Sequence, residues 1–316
     1  FGLALGIALL LTQILVSLGL FDPALSSYVP QLLPWLAIAA GGLMFGFGMA
    51  LVGTCSFGSL VRLGGGDLRG IIVIGIFGAA AFATLRGVLS TARIQLFEAV
   101  VIPWPGPGDL ASLLRAGLGV DLRLVLALLL GGLLVYLAAA DPRLRRTPRL
   151  MAAGVVLGLG VVAGWVATTQ LADGFANVAR PQSLTFVAPV GRFLNASLTG
   201  QGQLFDFGAG TLIGVVLGAF LAARHADEFR WEAFDDSLEM RRHLLGATCM
   251  GVGGVLAGGC TLGQGLSAGS LMALSWPVAV GGMLIGARLG IAVLVEGSLR
   301  ELLYRSMARL RGADGS

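Results

Sequence analysis

Apolar stretches long enough to cross a lipid bilayer follow one another from one end of the chain to the other, and this constrains the fold more than any single motif. A hydrocarbon core about 30 Å thick takes roughly 20 apolar residues of helix. Eight stretches approximate that length: Leu3 to Leu20, Leu33 to Thr54, Leu68 to Leu89, Leu122 to Ala140, Leu150 to Thr169, Phe205 to Ala223, His243 to Gly258 and Trp276 to Val295. Only 12% of the 316 residues are charged, about half the share of an average soluble domain. Lipid is therefore the solvent for this chain. The expected fold class is all-α: a polytopic membrane protein with about eight transmembrane helices plus short re-entrant or broken helices. The main polar tract, Arg224 to Arg242, is too short to form a soluble domain, so residues 1–316 read as one membrane domain. The leading stretch lacks the basic n-region of a signal peptide and reads as a span.

Every basic residue is arginine, and basic residues collect in cytoplasmic loops. With eight crossings and a cytoplasmic N-terminus, 14 of the 21 arginines fall inside. Five fall outside (Arg93, Arg115, Arg123, Arg180, Arg192), and Arg86 and Arg288 lie within spans. Dropping one span would scramble this parity, so both termini are expected in the cytoplasm. The pI near 9.5 is explained by this topology; the arginines stand at span ends without aromatic interleaving, which argues against a nucleic-acid partner. The two longest outer connections, Ser90 to Asp121 and Gln170 to Leu204, are expected to hold short elements of their own. The second reads as a re-entrant or interfacial short helix, tolerable at membrane depth where protein covers its backbone.

Glycine supplies 50 residues without collagen periodicity, and its pattern is informative. When Cys55 is aligned with Cys260, Gly46, Gly48, Gly53, Gly58 and Gly64 coincide with Gly251, Gly253, Gly258, Gly263 and Gly269. Chance overlap in these windows gives roughly two matches, so the chain carries an internal repeat. Its units span approximately 33–90 and 241–296. In the arginine-based topology the helix leading to Cys55 runs inward and the helix leading to Cys260 runs outward, which makes the copies inverted. Many secondary transporters are built this way, with broken helices forming the substrate site.

Each copy reads as a long helix, a break at Gly-Thr-Cys-Ser or Gly-Gly-Cys-Thr, a short segment, then another span. Ser56 and Thr261 are placed to cap the short segments, whose N-terminal N–H groups then favour an anion. Helix ends select charge only. Discrimination is assigned to the thiols, because a buried thiol resists ionisation and presents a soft, polarizable surface to a sulfur anion that must be released again. Cys249 precedes Cys260 by 11 residues, about 16 Å along one helix face, and completes an expected ladder of three thiols along one pathway. Arg86 and Arg288 follow their cysteines in corresponding spans, where a charge is costly and often functional.

The bland readings are weaker. A disulfide is disfavoured by the odd cysteine count and the differing depths. A metal site lacks a C-x-x-C, and both histidines, His225 and His243, stand at the cytoplasmic end. The Gly-Gly-Gly-Asp at Gly64 to Asp67 lacks the Lys and Ser/Thr of a phosphate loop. No cofactor motif appears.

Gly-Thr-Cys-Ser-Phe-Gly around Cys55, Pro-Gln-Ser-Leu-Thr-Phe at Pro181 to Phe186, and Gly-Gly-Cys-Thr-Leu-Gly-Gln-Gly around Cys260 resemble the YeeE/YedE family of bacterial inner-membrane sulfur-transport proteins. The resemblance covers about Pro34 to Leu294. It implies an inverted-repeat fold and uptake of thiosulfate or a related sulfur anion. Thiols contact the anion in turn, with Cys55 and Cys260 as the motif cysteines. Family members can carry a further cysteine nearer the N-terminus, which has no match here. Some relatives are linked to selenium metabolism or to cytoplasmic sulfur carriers of the TusA type, the partner the resemblance suggests. The competing expectation is a membrane sulfurtransferase or redox enzyme using Cys55 or Cys260 as nucleophile, which requires a thiolate activated by a base or cation. An unselective solute channel is the third.

Overall fold

The computed structural model describes residues 1–30, 32–103, 108–119, 122–170, 180–200, 204, 206–234 and 236–296. The described chain is helical. The helices are α1 (Gly2–Ser17), α2 (Trp35–Val52), α3 (Ser56–Gly64), α4 (Arg69–Leu85), α5 (Ser90–Ala92), α6 (Leu110–Leu118), α7 (Arg123–Ala140), α8 (Pro142–Arg145), α9 (Pro148–Gln170), α10 (Val187–Thr199), α11 (Phe207–His225), α12 (Ser237–Leu256) and α13 (Ser275–Glu296). A π-helical turn, Gly263–Ala268, lies between α12 and α13, and another, Arg93–Phe97, follows α5. The described strands are two residues each, β1 (Leu32–Leu33) and β2 (Ile102–Pro103), paired antiparallel.

All eight apolar stretches expected from sequence fall on helices. Among the described residues, five are long and apolar enough to cross a membrane, with α2 and α3 counted as one. The bent pair of Arg69–Leu85 and Ser90–Phe97, at 57°, makes a sixth. Helix α1 is apolar but only 16 residues long, and α12 carries Glu239, Arg241 and Arg242 near its start. Outward faces are greasy: Leu124, Leu128, Leu129, Leu133 and Leu137 of α7 are all exposed, as lipid-facing side chains must be. The chain is a multi-pass membrane protein. The long second connection holds α10, which buries Val187, Pro189, Val190 and Gly191.

Helices in lipid gain no hydrophobic advantage from association and rely on close backbone packing, for which glycine is suited. The centre of the molecule is built on that rule. A Cβ on Gly46 would strike the Met283 carbonyl of α13, and one on Gly251 would come 2.6 Å from the Phe77 carbonyl of α4. Gly41 faces Gly253 and Ala257, whereas Gly48 and Val52 face Gly246. Helices α2 and α12 therefore cross antiparallel, and each exchanges the same kind of contact with the other's partner. A peripheral group forms around α1, where Gly6 meets Gly131 of α7 and Gly158 of α9 meets Ala4.

Two turns near the ends of the short segments are pinned by backbone bonds to distant loops. After α3, Leu68 donates to the Glu232 carbonyl at 2.9 Å, and Glu232 donates to Gly66 at 3.2 Å. Arg69 reinforces this link through Asp67, Glu232 and Glu239 at 2.9, 2.7 and 3.2 Å. Before α13, Leu110 donates to the Met272 carbonyl at 3.0 Å, and Leu274 donates to Gly108 at 2.9 Å. There Asp109 pairs with Arg123 at 2.7 Å, and Arg123 also donates to Gln13 at 3.3 Å. Gln13 in turn donates to the Ser270 carbonyl at 2.8 Å.

Candidate functional site

Both cysteines follow a glycine that ends a long helix in the left-handed region, Gly53 at φ 77° and Gly258 at φ 74°, which a side chain bearing Cβ disfavours. A short helical segment then begins. Cys55 takes the N-cap position of α3 in an extended conformation, φ −83°, ψ 175°. Beyond Cys260 the chain is helical over 261–270. The two segments end alike, through positive-φ residues Gly66 and Met272. Gly66 lies 11 residues beyond Cys55 and Met272 lies 12 beyond Cys260. The π-helical turn Gly263–Ala268 absorbs the extra residue, since its hydrogen bonds span one residue more than an α-helix.

Cys260 is fully buried, and its Sγ accepts the Gly263 N–H at 3.4 Å. Cys55 is half-buried. Phe57, two residues beyond it, packs on Phe186, and the adjoining Thr185 lies against Gly263, three residues beyond Cys260. The fold thus brings together two cysteine breaks separated by 205 positions in sequence. Ser56 and Thr261 stand immediately beside them. Their expected capping role is not seen: Cys55 holds the extended N-cap position of α3, Cys260 directly precedes the helical residues from Thr261 on and its carbonyl accepts the Gln264 N–H, so both hydroxyls sit one residue too far into the helix. Instead, both hydroxyl oxygens are buried without a hydrogen-bond partner among the described residues. A buried hydroxyl left unpaired is costly, and two at matched positions mark a place where something polar can be received.

A cavity of about 630 Å³ reaches this region. It is lined by exposed Arg86 and Arg180, by half-buried Arg192, Gln182, Asn195 and Thr185, and by buried Tyr28 and Gly259, the last directly preceding Cys260. Asp206 accepts the N–H of Ala209 at 2.7 Å as the cap of α11 and pairs with Arg192 at 3.2 Å. Gln182, Ser183 and Thr185 of the Pro181 to Phe186 motif line the cavity. Thr168 Oγ1 accepts the Gln182 N–H at 3.0 Å, Ser183 donates to the Val161 carbonyl at 2.7 Å, and Ser267 donates to the Leu184 carbonyl at 2.8 Å. Phe186 is fully buried and packs on Phe57 at 5.5 Å between ring centres.

The remaining sequence candidates separate. Arg86 lines the cavity, but Arg288 does not. Gly286 and Gly290 of α13 face α2, so Arg288, two residues from each, lies on the opposite face with exposed Leu284, Ile285 and Ile291. Cys249 is half-buried on α12 and is not among the cavity's lining residues. Sequence reasoning passed over Tyr28 and Thr185 as site residues. It also treated Arg180 and Arg192 only as outer-loop charges. The signal available for Thr185 was its place inside the Pro-Gln-Ser-Leu-Thr-Phe motif; Tyr28 had none.

Comparison with known proteins agrees with this architecture. The thiosulfate transporter TsuA of Escherichia coli strain K12 is 25% identical over 280 residues, covering 84% of this chain and 77% of that protein. The thiosulfate transporter TsuA of Spirochaeta thermophila is 25% identical over 254 residues, covering 74% and 70%. These relatives are transporters, so the enzyme reading of the cysteines gives way to transport. The sequence pattern of the family described as Sulphur transport matches residues 1–289, and the chain belongs to that family.

Proposed function

We infer that the chain takes up thiosulfate, or a closely related sulfur anion, across the bacterial inner membrane along a pathway in which Cys55 and Cys260 touch the passing anion as neutral thiols. The carrying observation is the pair of buried, unpartnered hydroxyls of Ser56 and Thr261, each beside a cysteine, at two breaks that meet on the Thr185–Phe186 stretch. Each thiol and its hydroxyl begin a helical segment, where free N–H groups favour negative charge. The arginine-lined cavity supplies an approach for an anion, and the TsuA relatives name thiosulfate. Units 33–90 and 241–296 act as inverted copies around this point, a division supported by the antiparallel crossing of α2 and α12 and by the matched contacts of Gly46 and Gly251. The arginine distribution supports cytoplasmic termini. A TusA-type sulfur carrier, suggested by the family resemblance, is assigned to the cytoplasmic exit.

The test is uptake of labelled thiosulfate into liposomes holding the purified protein. Cys55→Ala and Cys260→Ala are each expected to lower the initial rate by about tenfold or more, equivalent to ~1.4 kcal/mol of lost stabilisation at the passing point. Wild-type rates in both variants would remove the thiols from the pathway. Retention of the purified protein on an immobilised TusA-type carrier tests the partner separately.

A further inference from the structure

We propose that Arg69 is a positioning residue for transport, the latch of a gate formed by the first cysteine segment: it holds α3 in place from the far end, and releasing it exposes Cys55 while Cys260 stays fixed. That this gate serves a passing anion rests on the pathway reading above. The unequal attachment of the two segments stands without it.

Polar side chains tie the second segment to its surroundings along its length. Gln264 donates to the Ala257 carbonyl at 2.7 Å, Ser267 donates to the Leu184 carbonyl at 2.8 Å, and Ser270 accepts the Trp165 indole N–H at 3.2 Å. Along α3, among the described residues, no side chain forms a hydrogen bond or ion pair: Ser56 and Ser59 are buried without partners, and Arg62 is exposed. What packs α3 is close contact alone. Gly64 lies against Val216 and Ala219 of α11, Gly70 of α4 lies against the Ser59 carbonyl, and Phe57 packs on Phe186. Apolar contact is non-directional, so it fills the space around α3 without fixing its position along the axis.

The polar attachment of α3 is concentrated at its end. In the turn that follows, the Gly65 and Gly66 carbonyls accept the Arg230 and Glu232 N–H groups at 3.3 and 3.2 Å. Arg69 closes the arrangement by reaching carboxylates from three places: Asp67 in the turn, Glu232 in the loop between α11 and α12, and Glu239 in the first turn of α12. The rigid fork of a guanidinium lets one side chain hold several such partners at once. Arg69 is 20% exposed and lines a second cavity of about 460 Å³ together with Arg62, Glu228 and Arg230, so water and ions reach the node. Helix α3 has nine residues, a rod about 14 Å long. A shift of its last turn is therefore passed to Cys55 at its N-cap.

The experiment follows alkylation of one cysteine at a time by a maleimide in the purified full-length protein. Cys249→Ala/Cys260→Ala leaves Cys55 to react, and Cys55→Ala/Cys249→Ala leaves Cys260. Adding Arg69→Gln is expected to raise the Cys55 rate about tenfold, equal to ~1.4 kcal/mol on the opening equilibrium, and to leave the Cys260 rate unchanged. Arg69→Lys keeps the charge but not the fork and should restore part of the hold. Glu232→Gln should raise the Cys55 rate by less, and it decides the question if Arg69→Gln does not elute as a single symmetric size-exclusion peak. Added salt should speed Cys55 when Arg69 is present and act less when it is replaced. With all three cysteines restored, Arg69→Gln is expected to raise the maximal rate of thiosulfate uptake in liposomes and leave KM unchanged, because Arg69 does not line the 630 Å³ cavity. A merely structural role would speed both thiols together. That result, an unchanged Cys55 rate, or an unchanged maximal rate overturns the latch. If thiosulfate is carried and Cys55 reactivity ignores Arg69, the latch falls and the transport reading stands. If Cys55 opens selectively in Arg69→Gln but no thiosulfate is carried, the transport reading falls and the latch remains.

Discussion

After Cys55 the chain forms an ordinary α-helix with Val61 exposed and Phe57 partly buried, whereas after Cys260 residues 262–272 are buried without interruption and wound partly as a π-helix. The second segment is also tied more densely from within. Gln264 Nε2 donates to the Ala257 carbonyl at 2.7 Å, Trp276 donates to the Gly265 carbonyl at 3.0 Å, and Ser270 receives the Trp165 indole N–H at 3.2 Å. Their anchoring turns differ in the same sense. Asp109, at the second turn, has no side-chain exposure, while Glu232, at the first, is 55% exposed. The two turns thus differ in one partner: Asp109 pairs out of contact with water, whereas Glu232 pairs with Arg69 where water reaches it. An ion pair facing water contributes about 0–1 kcal/mol, whereas removing one partner of a buried pair costs about 3–5 kcal/mol. Similar geometry need not mean similar rigidity.

The strongest way to break this comparison is at the shared glycine contacts, where the two halves should behave alike. Gly46→Val and Gly251→Val both drive a side chain into a carbonyl of the neighbouring helix. Each should cost about 3 kcal/mol or more, at or beyond the usual overpacking range, read as a large fall in the thermal midpoint in detergent. A loss confined to one variant would show that the two halves are packed unequally at their centre. Next in size is the contrast between turns: Asp109→Ala should cost about 3 kcal/mol, and Glu232→Ala less than about 1 kcal/mol. Equal midpoints for these two variants would remove solvent exposure as the distinguishing cause.

A smaller contrast lies inside the segments. Gln264→Ala removes a buried hydrogen bond and should cost about 1–3 kcal/mol. Ser59→Ala deletes a buried hydroxyl with no partner among the described residues and should change stability by less than about 0.5 kcal/mol or raise it slightly. The smallest effect is expected at Cys249. Its alanine variant should take up thiosulfate close to wild type, because Cys249 lies away from the cavity and its half-buried thiol makes none of the contacts described at the two breaks. A strong loss there would favour a pathway that runs past all three thiols.

Much of this architecture was legible in the chain because membrane helices declare themselves by length and apolarity alone. Cys55 and Cys260 stood out because a glycine pattern recurs around each, and the left-handed Gly53 and Gly258 give that pattern a physical reason. The role of Ser56 and Thr261 was misread because N-capping depends on which residue adopts the extended conformation, a matter of one position that spacing does not resolve. Arg288 looked equivalent to Arg86 because both follow their cysteines at similar distance. The facing of α13 toward α2 by Gly286 and Gly290 turned Arg288 outward.

The sequence by itself determined that this chain lives in lipid as a bundle of helices, and that two glycine-flanked cysteines interrupt it, since hydropathy and backbone freedom are properties of residues taken locally. Only the tertiary structure decided which distant groups share a site. The approach of the Cys55 and Cys260 breaks, the meeting of Tyr28 with Thr185 and Gly263, and the gathering of Arg86, Arg180 and Arg192 around one cavity depend on how helices cross. Those crossings are set by close packing between surfaces far apart in the chain, and that information has no local period to read.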